Sequence, residues 1–508
     1  VNIFARALLL LAVGIGGYLR LKDLDFGFPY FYHPDEVAKS RVIQRMLKGN
    51  TLDPDYFLHP NLLIYLTYFL RKLLLVVGFR YEDINAEIII AGRLVSAITG
   101  TLSIALLYGI ARRLYSQLTA AGSALFLALF PLHVTCSRYM KEDVLFYFFL
   151  LCSLSFAVKA VQTKKLQDVL LASFLGGLSA GSKYTGILSI AFILAIPFLA
   201  SRSLKPDKRL LKLALCSLLL VPIGFLCCSP YSVINLVKFT KDFTSEKSHM
   251  LHGHGGIVIT AWSQWWMYHL KRSIFPGVTP PIAVISLFGL ALMLWRRRPE
   301  DLLIIGFFLL FYLPAEWVRA KPMPQPERYI LPCLGPLAIA SAELLILISK
   351  KFFQNSLRQE FIAVDLILIF SLFPAARTYA LTRDLRPDTR EIFSEEVLKI
   401  VPPGKNVLIL GEIKYTPRFP KNLNKVKVVR AESSRGRFTP DYLKNSNWDY
   451  LIVTSLSYQR FLSEPNADPE LKQLFLDYDV QLPLALLTAA RSGTYGFHNP
   501  ILKLYNLK

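Results

Sequence analysis

ILSIAFILAIPFLA (residues 187–200) contains no charged residue and, apart from Ser189 and Pro197, only apolar side chains. A run of this kind is too extended and too uniform for one face of a soluble helix, and it sets the scale for the rest of the chain. Hydrophobic residues make up 53% of the 508 and charged residues 19%, with a mean hydropathy of +0.39. The chain reads as a polytopic α-helical membrane protein. Allowing roughly 20 apolar residues per crossing, it holds about eleven transmembrane helices. They fall at 3–21, 86–111, 118–135, 143–161, 167–182, 184–201, 213–229, 278–295, 302–318, 330–349 and 360–377. Residues 3–21 lack a small-residue cleavage site and read as a first span, not a removed signal.

Charge then orients the spans. The net charge of +22 is concentrated in alternate loops. These carry Arg112 and Arg113; Lys159, Lys164 and Lys165; Lys205, Lys208 and Arg209; Arg296 to Arg298; and Lys350, Lys351 and Arg358. The positive-inside rule places this set, and the N-terminus with Arg6, in the cytoplasm. The opposite face receives residues 22–85, the turn at 136–142, the loops 230–277 and 319–329, and the C-terminal tail. The apolar stretch 60–77 carries Arg71 and Lys72 at its centre and reads as a helix lying at the membrane interface. No basic stripe with interleaved aromatics appears, which argues against nucleic acid as a partner. The six cysteines form no CxxC pair, so neither a disulfide framework nor a zinc site is indicated.

Beyond Arg377 the composition becomes that of a soluble domain. VLIL (407–410), VKVV (426–429), YLIV (450–453) and ILKLY (501–505) read as strands between polar and helical stretches. Two domains follow: 1–380 in the membrane, and 385–508 as a small extracytosolic α/β domain.

Five stretches facing the outer side carry candidate chemistry. FYHPDEVAKSRVIQRM (31–46) starts a helix at Pro34, with Asp35 and Glu36 in its first turn, where free N–H groups favour negative charge. Successive residues point about 100° apart, so one acid at most faces a given pocket. Val37, Val42, Ile43 and Met46 form an apolar face, Lys39, Arg41, Arg45 and Lys48 a basic one suited to anionic head groups, and Gly49 a stop. SRYMKEDVLFYFF (137–149) places Glu142 and Asp143 at a second helix entrance, with Arg138 and Lys141 beside them. Both acidic sites also read as ordinary helix-entrance charges; two at one membrane level point further, to a shared cavity. In GGLSAGSKYTGILS (176–189), small residues permit tight helix packing around Lys183, a phosphate ligand or a snorkelling lysine. VRAKPMPQPERYILPCLGP (318–336) is an extended proline-rich loop delivering Arg328 and Tyr329, a bidentate phosphate contact or an interfacial anchor. EKSHMLHGHGG (246–256) holds His249, His252 and His254 beside flexible glycines. A divalent metal is one use, a substrate loop another, and no acid or cysteine at ligand spacing completes a metal site.

In their order and topology these stretches resemble the GT-C membrane glycosyltransferases, specifically glycosyltransferase family 39 and its prokaryotic relatives. That group includes the dolichyl-phosphate-mannose protein mannosyltransferases and the aminoarabinose transferase of lipid A. AGRLVSAITGTLSIALLYGIARRLY (91–115) is similar to the family's second span. The resemblance covers roughly residues 1–380. It implies a GT-C fold with interfacial helices in the first outer loop and an inverting transfer from a polyprenyl-phosphate-linked sugar. The acceptor hydroxyl would belong to a protein, lipid or glycan, and no cofactor would be required. Asp35 falls at the family's catalytic acid and would act as general base, and Asp143 at its second acidic position. Lys183 and Arg328 would bind the lipid phosphate, with Tyr329 and Arg138 as supporting donors. Glu36 and Glu142 are the alternatives at each acidic site, and His252 and His254 lie on the proposed substrate loop.

Two other classes compete. A transporter or flippase of a lipid-linked intermediate also needs many spans and intramembrane charge, but such proteins often show repeat symmetry and midplane acids, and neither is visible. A non-catalytic subunit presenting the tail to a partner leaves the two outer acidic sites without a purpose.

Overall fold

The computed structural model describes residues 3–201, 203, 205–253, 267–318, 326–352, 355–419, 423, 425–464, 467–489, 491–492 and 497–508. The first eight helices are α1 (Ile3–Leu21), α2 (Pro34–Lys48), α3 (Leu62–Val76), α4 (Ile84–Leu114), α5 (Gln117–Leu129), α6 (Pro131–Cys136), α7 (Glu142–Thr163) and α8 (Leu166–Ser182). Among the described residues, seven helices are long and apolar enough to cross a membrane. An eighth arises if Leu270–Val278 and Pro280–Arg296, bent by 109°, form one span. All eleven expected segments lie on helix, but three miss that measure. Leu166–Ser182 has 17 residues, Gln117–Leu129 has 13, and Pro299–Trp317 carries Glu300, Asp301 and Glu316.

The short α5 has a physical cause. Pro131 cannot donate to the helix ladder, so the segment expected at 118–135 breaks there and restarts as α6. The stranded carbonyls at the α5 terminus are capped inside the bundle. Arg20 donates to the carbonyls of Ala128 and Leu127 at 3.0 and 3.2 Å, and the Thr378 hydroxyl donates to that of Leu129 at 2.7 Å. Close crossings rest on glycine. A Cβ on Gly177 would lie 2.3 Å from the Val221 carbonyl oxygen, and one on Gly224 would lie 2.4 Å from that of Phe174. This crossing packs α8 on Leu220–Cys228 and fixes the turn that carries Lys183.

The basic loops gather at one end of the bundle, where Arg113 donates to Gln162 at 3.3 Å and Arg296 pairs with Glu343 at 3.0 Å. The acidic stretches gather at the other, beneath the C-terminal domain. There β1 (Asn406–Leu410), β2 (Lys425–Val429), β3 (Tyr450–Thr454), β4 (Leu484–Leu487) and β5 (Leu502–Asn506) form one sheet, in the order β2–β1–β3–β5–β4. β2, β1 and β3 are parallel, while β5 and β4 are antiparallel to their neighbours. Strand alternation sends Leu408, Leu410 and Leu451 to a core with Phe475 and Tyr478. Val407, Ile409 and Ile452 go to the opposite core with Phe393 and Val397. All four expected strands are present. β4 is additional: LALL is apolar throughout and pairs at the sheet edge, so it lacks an alternating signature.

The domain is seated on the loop that leads into α2. The Arg390 guanidinium lies 3.6 Å from the Tyr32 ring centroid and is held by Asp388 at 2.7 Å. Tyr139 and His498 share a 2.8 Å hydrogen bond.

Candidate active site

α2 begins where proline and an unusual cap specify it. Pro34 occupies the first turn, and the His33 ring nitrogen accepts the Asp35 backbone N–H at 3.2 Å. His33 is buried between the rings of Tyr139 and Phe497, each 4.8 Å away. Burial lowers its pKa to about 4, keeping the ring a neutral acceptor.

The two acids of the first turn diverge as helix geometry requires. Glu36 is fully buried and accepts from Arg93 at 2.8 and 2.7 Å and from the Met140 backbone at 2.8 Å. It clamps α2 to α4 and to the 137–142 turn, whereas Asp35 lines a cavity. Asp35 is 35% exposed at its side chain and pairs with Lys141 at 2.6 Å. Burial pushes the Asp35 carboxyl up, but Lys141, His33, Lys39 and Arg328 outweigh it and hold the group well below the usual carboxylate range.

Lys141 also reaches Glu142 at 3.0 Å, whose other oxygen meets Lys39 at 2.9 Å. His59 stands 3.5 Å from the same carboxylate, its pKa lowered to about 3 by burial. Lys39 therefore does not belong to the lipid-facing basic stripe expected of α2. It is 2% exposed and turned inward, one helical turn after Asp35. Asp143 holds Lys183 at 2.6 Å and lies 3.6 Å from Arg328. Both cations sit over the Tyr329 ring, at 5.1 and 5.5 Å from its centroid. These contacts interleave the cations Lys39, Lys141, Lys183 and Arg328 with the carboxylates Asp35, Glu142 and Asp143.

Two cavities meet at Arg328. The first, of about 270 Å³, is polar and lies under the C-terminal domain. Asp35, His249 and Arg328 form its floor, and Glu412, Tyr415 and Arg460 its roof. The second, of about 250 Å³, has mainly apolar walls, among them Phe146, Leu188, Phe311 and Val318, with Glu142, Lys183 and Arg328 at its polar end. Glu246 also borders it, with its carboxyl pushed up by burial and by Glu142.

The structure thus brings Asp35, Glu142, Asp143, Lys183, Arg328 and Tyr329 together. It does not bring Arg138, which donates to the carbonyls of Leu19, Lys22 and Asp23 at 3.2, 2.6 and 3.2 Å. Those carbonyls at and beyond the end of α1 need a donor, and the guanidinium is used there. His252 is exposed and bonds back to the Ser248 carbonyl at 2.9 Å; His249, one turn earlier, lines the cavity instead. His254 lies outside the described residues. Among the described residues no group of three or more His, Cys, Asp or Glu could hold a metal ion. Lys141 neutralises the acids as its place beside them suggested, whereas Lys39, His59 and the cavity roof were not expected at the site. The Lys39 signal was present, since it stands four positions after Asp35 and shares its face. The roof comes from a distant part of the chain, and no local pattern announces it.

Residues 83–234 match the family model described as dolichyl-phosphate-mannose-protein mannosyltransferase. That span contains Glu142, Asp143 and Lys183 and leaves out Asp35 and Arg328. No curated protein matches the chain by sequence. Solved structures that share its architecture include the following three. One is the Archaeoglobus fulgidus oligosaccharyltransferase AglB with an inhibitory peptide and a dolichol-phosphate. It superposes with a TM-score of 0.57 at 12% identity, covering 93% of this chain and 72% of that one. The same organism's oligosaccharyltransferase with Zn and sulfate gives 0.54 at 14%, covering 97% and 73%. ArnT from Cupriavidus metallidurans bound to undecaprenyl phosphate gives 0.53 at 14%, covering 97% of each chain.

Proposed function

We propose that this chain, which has the GT-C fold of membrane glycosyltransferases, moves a monosaccharide from a polyprenyl-phosphate donor to an acceptor hydroxyl. The observation that carries the reading is the pair of cavities joined at Arg328, one polar around Asp35 and one apolar ending at Lys183. The isoprenoid chain suits the apolar cavity, and the phosphate suits the Lys183–Arg328 end. The sugar then projects toward Asp35, with the acceptor under the C-terminal domain.

The chemistry follows from the charges. The acceptor oxygen attacks the anomeric carbon from the side opposite the phosphate, so configuration inverts. Its proton passes to the Asp35 carboxylate, ionised at neutral pH and facing the cavity. The bond between the anomeric carbon and the phosphate oxygen breaks, and the lipid phosphate leaves with the electron pair. Lys183 and Arg328 stabilise the charge that grows on it, and Asp143 holds both in place beforehand. Lys141, shared between Asp35 and Glu142, fixes the base in its ionised form. With the basic loops in the cytoplasm, the site and the C-terminal domain face the outside.

The test uses purified full-length protein with a panel of sugar-loaded polyprenyl phosphates and hydroxyl acceptors. Release of polyprenyl phosphate together with an inverted glycoside is expected. Transfer from a sugar nucleotide instead, or lipid translocation without transfer, would overturn the proposal.

A further inference from the structure

A third cavity, of about 770 Å³, shares Pro34 and Glu412 with the polar cavity around Asp35. It runs along the seam between α2 and the C-terminal domain and is about three times as large as either cavity at the proposed reaction centre. Its walls combine two chemistries. Phe31, Val37 and Ile413 present apolar surface, while Arg41, Arg418 and Arg430 bring three guanidinium groups from three separate segments. Glu412, at the boundary with the Asp35 cavity, is the single carboxylate among the described lining residues. No described Asp or Glu forms an ion pair with any of the three arginines. Further out, the next cavity shares Tyr30 and Arg418 and is lined by Glu391 and Glu395, so the basic stretch is confined to the section beside Asp35.

We infer that this groove seats the body of the acceptor, and that the acceptor is an anionic amphiphile. Its phosphate or carboxylate groups would lie on Arg41, Arg418 and Arg430, and its apolar part along α2. Guanidinium groups match such anions in geometry as well as charge. Three of them on separate segments would fix the acceptor's register, holding its hydroxyl at the Pro34–Glu412 boundary within reach of Asp35. The inference rests on the transferase reading and adds to it the class of acceptor.

Full-length protein in neutral detergent is titrated with dihexanoyl phosphatidic acid as the anionic amphiphile, with farnesyl phosphate saturating the Lys183–Arg328 end. Wild type binds the probe; the R41Q/R418Q/R430Q variant, unchanged in melting temperature because all three side chains are exposed, loses about tenfold or more in affinity. Dihexanoyl phosphatidylcholine and inorganic phosphate bind at least about tenfold more weakly than the probe. Equal binding by wild type and variant overturns the inference. Inorganic phosphate matching the probe does so as well, by removing the apolar contribution. So does preferred, arginine-dependent binding of hexaglutamate, which would make the occupant an acidic peptide. The transferase reading fails separately, if farnesyl phosphate does not bind or binds K183Q as it binds wild type.

Discussion

Replacing Asp35 with asparagine removes a proton acceptor and little else. The helix start does not depend on the carboxylate, because His33 caps the Asp35 backbone N–H and Pro34 sets the first turn. The ion pair to Lys141 is lost, but Lys141 keeps Glu142 at 3.0 Å and is not stranded. A side chain 35% exposed in such a pair contributes at most ~1 kcal/mol after solvent screening. The melting temperature should therefore stay nearly constant. Catalysis should not: loss of a general base lowers the rate by ~10²–10⁴, or ~3–5 kcal/mol of barrier. Donor affinity should be unchanged, since the phosphate contacts assigned to Lys183 and Arg328 do not involve Asp35. Single-turnover transfer from a radiolabelled polyprenyl-phosphate sugar at saturating acceptor separates these effects. Because the Asp35 carboxyl is held well below its ordinary range, the wild-type rate should be flat across neutral pH and fall only in acid. An Asn variant retaining more than about a tenth of the rate, against the loss expected of a base, would refute Asp35 as the base. So would a rate loss matched by an equal loss of donor binding.

Four other expectations are independent of that one. K183Q and R328Q should each weaken polyprenyl-phosphate binding by roughly tenfold or more, as expected for charge-assisted contacts, and a competition titration reads this directly. E142Q should lower the melting temperature sharply, because it strands the buried Lys39 ammonium at a cost of ~3–5 kcal/mol; K39M/E142M should recover part of the loss. Stability should fall as pH drops below about 6.5: His33, His59 and His498 are held neutral when folded, at about 4, 3 and 3, and an unfolded chain binds those protons first. Each contributes a slope of up to ~1.4 kcal/mol per pH unit in that window, measurable as melting temperature against pH. Gly177→Val should destabilise the α8 crossing by ~1–3 kcal/mol or more, whereas Gly109→Ala, with nothing within 4 Å, should be tolerated.

The sequence carried the local elements well and the pairings poorly. Apolar runs announce helices because the lipid phase imposes length and composition together, and Pro34 with two acids announces the α2 start. The short α5 was legible only in part. Pro131 marks the break, but what makes the break tolerable is Arg20, which lies more than a hundred positions away. Arg138 illustrates the same limit. The family resemblance made it a supporting phosphate donor, yet the carbonyls at and just beyond the end of α1 take all its described hydrogen bonds. Lys39 shows the reverse case: a lysine on an amphipathic helix resembles a surface charge until a carboxylate from another helix entrance faces it. Long-range carboxylate–cation matching has no sequence period, so side-chain type located the cluster and only the packing distributed its roles.

The ring sandwich around His33 has a practical consequence for protein engineering. One slice is Tyr139, from the membrane half, and the other is Phe497, near the C-terminus. The tail is thus not a removable appendage: it supplies part of the mould in which the Asp35 helix is cast. Chimeras that exchange C-terminal domains between related chains to redirect acceptor choice should keep the 497–499 segment and the Tyr32–Arg390 contact with their native membrane half. A swap that cuts between them would disturb the helix start that carries the proposed base along with the proposed acceptor site.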